Sequence, residues 1–126
     1  MAMTKELKKD KLVVRCYDSR ESMGAAAAKD CAAEIRRLLS KKSEINMIFA
    51  AAPSQNEMLS ALVKESGIEW NRVNAFHMDE YVGLPADAPQ GFGNFLRGHI
   101  FSKVPFKSVN YLNGQNPDRD AECARY

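Results

Sequence analysis

Two acids, Asp79 and Glu80, stand side by side after the apolar run 73–78 and ahead of a loop marked by Gly83 and Pro85. At the exit of a strand in an open α/β sheet, such a pair sits at the carboxyl edge, where these folds take their ligands. Asp79 there is suited to general-base work, because an aspartate on a strand end is short and has few rotamers to lose. From the dipeptide alone, a solvated loop opening on two acids is the plainer account. Glu80 reads as an acceptor for loop N–H groups, or as a partner for Arg72 or Arg97. His77 can make a polar contact in the crevice, and a partly buried structural role is favoured over acid–base chemistry. Tyr81, Phe92 and Phe95 are candidates for a pocket wall, although aromatics at helical spacing are more commonly core.

The loop 51–56, Ala-Ala-Pro-Ser-Gln-Asn, is the second place with chemical potential. A strand that runs directly into a helix leaves N–H groups pointing outward at the positive end of the helix dipole, a setting that favours a phosphate. Ala51, Ala52, Ser54 and Gln55 are the candidate phosphate-binding residues. The small side chains of Ala51 and Ala52 let an anion approach the backbone, and the Ser54 hydroxyl adds a donor. The competing account of Ser54 is a helix cap, with Glu57 as its capping-box partner.

The elements that would position these groups alternate. Residues 12–17 read as a first strand. Asp18 caps a helix with Glu21 three residues on, and Met23, Ala27, Cys31, Ile35, Leu38 and Leu39 recur at helical spacing. Residues 45–50 suit a buried parallel strand. Met58, Leu59, Leu62 and Val63 give a second helix its buried face, stopped by Gly67. After the strand at 73–78, Phe92, Phe95, Leu96 and Ile100 mark a helix closed by Val104 and Pro105. A strand at 108–112, a turn at Asn113-Gly114 and a helix capped by Asn116 or Asp118 follow. Strand and helix in alternation predict an α/β fold: a three-layer, Rossmann-like, mostly parallel sheet with helices on both faces. Residues 1–10 read as a disordered or flexible tail, with Lys5, Lys8, Lys9 and Lys11 as solubilising charges.

The 126 residues suffice for one domain with a core, at 45% hydrophobic and 27% charged content. A net charge of +2, from 18 basic and 16 acidic residues, gives no basic face for nucleic acid. Cys16, Cys31 and Cys123 are far apart and odd in number, so neither a disulfide framework nor a zinc site is expected, and reduced thiols in a cytoplasmic protein is the simple reading. Asp118 and Asp120 are read as helix N-terminal charges rather than metal ligands. No apolar run reaches spanning length and no signal-peptide h-region opens the chain, so no membrane association is expected.

Phe76-His77-Met78-Asp79-Glu80-Tyr81-Val82-Gly83-Leu84-Pro85, followed by A-P-Q-G-F-G-N-F, resembles the signature of the glucosamine-6-phosphate deaminase/isomerase family, F-N-M-D-E-Y-V-G-L-P with a later H-P-x-S-Y. His77 stands where the family usually has Asn. The segment 111–126, Y-L-N-G-Q-N-P-D-R-D-A-E-C-A-R-Y, resembles its L-N-G-x-x-x-D-x-x-x-E-C-x-x-Y stretch. The resemblance implies that Asp79 is the base of the aldose–ketose step, moving a proton between the second and first carbons through an enediol-type intermediate. It implies that 51–55 replaces the family's P-T-G-[GS]-T-P phosphate loop, with Ser54 on the second Thr and with Ala52 and Pro53 on the glycines. Ala is strained at positive φ and Pro lacks an N–H, so this loop should have a different backbone or fewer amide contacts. The family's later G-x-x-x-D-G-H-I-A-F-N-E-P segment, which carries the ring-opening histidine, has no counterpart here.

The resemblance therefore implies that residues 11–126 are the N-terminal part of a single isomerase/deaminase domain, cut short. The implied reaction converts glucosamine 6-phosphate to fructose 6-phosphate and ammonia without a cofactor, and the 126 residues alone are expected to be inactive. Alternatives are a sugar-phosphate lactonase of the same superfamily, which tends to show D-E-R where Tyr81 follows Asp79-Glu80 here, and a non-catalytic sugar-phosphate-binding module. An incomplete sheet would expose edges, which favours self-association into a homo-oligomer.

Overall fold

The computed structural model describes residues 3–126. The hairpin comes first. Strand β1 (Met3–Lys9) pairs antiparallel with β2 (Leu12–Tyr17), in the register Lys9↔Leu12 to Lys5↔Cys16. The two-residue link places Asp10 at φ 54, the left-handed region that Asp tolerates better than most residues. The stretch expected as a flexible tail thus carries a strand over 3–9, and residues 1 and 2 lie outside the described residues. The strand at 12–17 also departs from expectation, since it joins this hairpin rather than the parallel sheet. Its neighbour in sequence is available across a tight turn, and Glu6 and Arg15 face each other across the pair. Arg15 also reaches Asp30 at 2.6 Å, fastening the hairpin to the next helix.

That helix, α1 (Arg20–Leu39), is capped by Ser19 rather than Asp18: Ser19 is extended, and its hydroxyl accepts from Ser22 N–H at 3.1 Å. Its buried stripe is Gly24, Ala28, Ala32, Ile35 and Leu39, while Met23 is exposed. Small residues every four positions let α1 approach α2 (Asn56–Leu62) closely. A Cβ on Gly24 would lie 2.5 Å from the Glu57 Cβ.

The parallel sheet has the order β3-β4-β5, from β3 (Ile45–Phe49), β4 (Val73–His77) and β5 (Ser108–Asn110), with Phe49↔His77 and Phe76↔Asn110 in register. One face is buried through Ile45, Phe49, Val73, Ala75 and His77. It joins one core with α1, Leu59 and Leu62 of α2, and Leu96, Ile100 and Phe101 from α3 (Phe92–Leu96) and the π-turn that extends it. The other face is more polar. Asn74 donates to Asn46 at 3.0 Å, and the Ser108 hydroxyl donates to Asn74 at 2.8 Å. Strand β3 alternates instead of being buried throughout, with Ile48 55% exposed, because it forms an edge of this sheet. Helix α4 (Arg119–Arg125), capped by Asp118, brings Tyr126 edge-on to Phe76 on this second face. Among the described residues, no helix is long and apolar enough to cross a membrane.

Candidate active site at the carboxyl edge of the sheet

The ladder runs one residue past the end of β4, where Met78 N–H donates to the Phe49 carbonyl at 3.0 Å. Asp79 follows, exposed. It leaves the sheet two residues beyond His77, as Ala51 does beyond Phe49 on the paired strand. The two sequence-derived candidate regions are therefore neighbours at one sheet edge.

Glu80 is an acceptor for backbone amides. Its Oε1 receives Tyr81 N–H at 3.0 Å and Phe92 N–H at 2.9 Å, and its Oε2 receives Gly93 N–H at 2.9 Å. Phe92 and Gly93 open α3, whose N-terminal amides have no partners within the helix, and its N-cap Gly91 has no side chain to supply one. Burial pushes the Glu80 carboxyl up, but the Gly93, Phe92 and Tyr81 amides outweigh it and hold the pKa below the usual carboxylate value. Neither alternative partner is used. Arg72 donates to the carbonyls of Ser43, Leu39 and Lys42, and Arg97 donates to Asn94 and lies over the Tyr111 ring.

His77 is 1% exposed. Its Nδ1 receives Leu112 N–H at 3.1 Å, and its Nε2 lies 3.4 Å from Glu80 Oε2. Burial lowers its pKa, against the pull of the Glu80 carboxylate. Its carbonyl accepts from the Tyr126 hydroxyl. Tyr81 is exposed and packs against Phe92 at 4.6 Å between ring centroids. The loop after it rests on Gly114, whose carbonyl accepts Gly83 N–H at 2.8 Å. Only glycine fits at 114, because a Cβ would come within 2.0 Å of the Tyr81 carbonyl oxygen.

The 51–55 loop is built differently. Ala52 is extended at φ −158, and Pro53, Ser54 and Gln55 form a 3-10 turn closed by Gln55 N–H to Ala52 O at 2.9 Å. No positive φ is used here, so the loop takes a backbone compatible with alanine. The expected capping box is absent: Ser54 is exposed and caps neither turn nor helix. Glu57 instead takes a bidentate pair from Arg20, at 2.9 and 2.8 Å, and Arg20 also donates to Pro53 O at 2.9 Å. Sequence reading missed Arg20, since its partners lie more than thirty residues away and no local spacing signals them. It also missed Glu122, a buried carboxylate that receives Asn113 N–H at 2.8 Å and pairs with Arg125. Arg125 and the Asn113 amide depress the Glu122 pKa to about 2.

Two cavities, of about 240 and 220 Å³, flank the strap from Leu112 to Gly114, and Glu80 lines both. Tyr81 lines the first, with Asn94, Arg97 and Tyr111. Asp79, Ala51, Ala52, Ser54 and Gln55 line neither: Asp79 and Ser54 are exposed, while Ala51, Ala52 and Gln55 are half-buried, Ala51 against the core. Among the described residues, no cluster of three or more His, Cys, Asp or Glu side chains is placed to hold a metal ion.

No protein-family model matches the chain. A glucosamine-6-phosphate deaminase of Mannheimia succiniciproducens is 43% identical over 70 residues, covering 54% of this chain and 26% of that protein. Among solved structures, a monomeric glucosamine-6-phosphate deaminase described as a missing link of the NagB superfamily superposes with a TM-score of 0.73 at 21% identity, over 87% of this chain and 46% of its own. A 6-phosphogluconolactonase from Shewanella baltica gives a TM-score of 0.74 at 16% identity, over 86% and 46%. At those identities the solved structures speak for the fold, and the chain spans about a quarter of the curated relative and under half of each solved neighbour. The strand-exit motif and the curated similarity agree on one statement: over about half its length this chain is similar to glucosamine-6-phosphate deaminases.

Proposed function

We propose that the protein carrying this chain converts an amino-sugar 6-phosphate, glucosamine 6-phosphate in the leading reading, and water into fructose 6-phosphate and ammonia. The observation that carries the proposal is Asp79: an exposed carboxylate at the exit of β4, beside the exit of β3, with no hydrogen-bonding or ion-pair partner among the described residues. A base needs such freedom to reach a carbon-bound proton. In this reading Asp79 removes the proton from the second carbon of the open-chain sugar and returns it to the first. The electron pair passes through an enediol-type intermediate, and the amino group then leaves as ammonia with the addition of water. No redox partner is needed, because the oxidation of one carbon balances the reduction of its neighbour.

The 51–55 loop is assigned the phosphate, through the Ala51 and Ala52 amides, the Ser54 hydroxyl and the Gln55 side chain, since the Gln55 backbone N–H already closes the turn onto Ala52. Ring opening is assigned to a segment outside these 126 residues. His77 is buried, and His99 bonds the Phe95 carbonyl at 2.7 Å and stacks on its ring. The reaction belongs to amino-sugar catabolism and is placed in the cytoplasm, where Cys16, Cys31 and Cys123, all free thiols in this fold, would stay reduced.

A sugar-phosphate lactonase is the second reading, supported by fold similarity of equal strength. Tyr81 after Asp79-Glu80 argues for the deaminase. A coupled assay for ammonia from glucosamine 6-phosphate, run beside one for 6-phosphogluconolactone hydrolysis on the same preparation, separates them. Ammonia release without lactone hydrolysis is expected, and the reverse overturns the proposal. Calorimetric binding of glucosamine 6-phosphate without turnover of either substrate would assign a binding module instead.

A further inference from the structure

His77 is among the largest fully buried side chains of the protein. Because Leu112 N–H donates to its Nδ1, the neutral ring carries its proton on Nε2. That Nε2 has no hydrogen-bond partner among the described residues, and it lies 3.4 Å from Glu80 Oε2, which already receives Gly93 N–H. Gly93 keeps this space open, since a Cβ there would sit 3.4 Å from the His77 ring and 3.3 Å from Oε2. The Tyr126 hydroxyl holds the His77 carbonyl. The residue two before Asp79 is therefore held by two hydrogen bonds and a 3.4 Å contact with Glu80, and Glu80, the residue after it, by three amides. The Asp79 carboxylate between them has no hydrogen-bond or ion-pair partner among the described residues.

We propose that His77 is a positioning residue for Asp79: its ring braces the exit of β4 against the exit of β5 through Nδ1 and against Glu80 through Nε2, fixing both ends of the segment that carries the base. The proposal rests on the reading of Asp79 as the base. A reacting group held in place by neighbours that are themselves locked, with its own lone pairs left free, is the arrangement a general base requires.

The test uses the protein carrying this chain and glucosamine 6-phosphate, with Asp79→Asn, His77→Phe and His77→Asn in parallel. His77→Phe keeps a ring and loses both nitrogens. It should lower kcat by about tenfold or more, with KM changed by less than about twofold. His77→Asn retains an acceptor for Leu112 N–H but is too short to reach Glu80, and should recover part of that loss. If Asp79→Asn abolishes turnover while both His77 variants keep wild-type kcat, the His77 proposal fails and the base stands. Turnover retained by Asp79→Asn overturns the base and this proposal with it. A loss that tracks melting temperature, raises KM alongside and is not recovered by Asn assigns His77 to plain packing and overturns the proposal. If His77→Phe does not fold, nitrogen-15 spectra of the wild-type chain decide: an Nε2–H tautomer at neutral pH is expected, and Nδ1–H overturns the brace.

Discussion

The exits of β3 and β4 are paired in register, yet they are built to opposite plans. After β4, the segment around Asp79 is tied at several points. His77 is bound through ring and carbonyl, Glu80 by three amides, and Gly83 and Gly114 to each other. After β3, the loop has its own 3-10 turn and one long-range guard, Arg20. A buried network of hydrogen bonds fixes geometry, whereas a loop with little side-chain bonding leaves the Ser54 hydroxyl free for a ligand. The difference suits the proposed roles, a base that is aimed and a neighbouring loop that takes an anion.

Substitutions on the β4 side should have the largest effects. Gly114→Ala forces a Cβ onto the Tyr81 carbonyl and should cost about 3 kcal/mol, read as a drop in the urea midpoint. Glu80→Ala leaves the Phe92 and Gly93 amides unsatisfied at the start of α3 and should cost about 2 kcal/mol, with faster amide exchange at both positions. If either change is neutral, the tied and untied exits are not distinct.

Acid should loosen the β4–β5 side. The Glu122 pKa falls from 4.5 to about 2 in the fold, so its contribution is complete above the unfolded value and is lost as pH falls from about 4.5 towards 2. His77 acts with the same sign: its folded pKa lies below 6.5, so its contribution is present above 6.5 and declines on acidification. Glu122→Gln should flatten the acid limb of a melting profile between those limits. A profile identical to wild type would remove Glu122 from the account.

The β3 side should respond least in stability. Arg20→Ala breaks a solvent-exposed pair and should lower the midpoint less than Glu80→Ala does. Ser54→Ala, with no cap to lose, should stay within about 0.5 kcal/mol of wild type, yet raise KM for the phosphorylated sugar. An unchanged KM would free Ser54 from the phosphate site.

The alternation of strands and helices, the placement of Asp79 after β4 and the amide-accepting role of Glu80 were all legible in the sequence, because each rests on local pattern. The hairpin was not, since lysines at 5, 8 and 9 resemble a tail until Asp10 closes a turn that pairs them with 12–17. Nor was the Ser54 loop, because the S-x-x-E spacing that signals a capping box was overridden when Arg20 claimed Glu57 across the α1–α2 contact. Glu122 and Arg20 act through partners that only the assembled fold supplies.

The most direct test of Asp79 is isotope transfer. With glucosamine 6-phosphate deuterated at the second carbon, the protein carrying this chain should place deuterium on the first carbon of fructose 6-phosphate, apart from the share that Asp79 exchanges with solvent on the way. Asp79→Asn should bind the sugar phosphate with near wild-type affinity and incorporate none. Incorporation by the Asn variant at a rate close to wild type would contradict the assignment of the base.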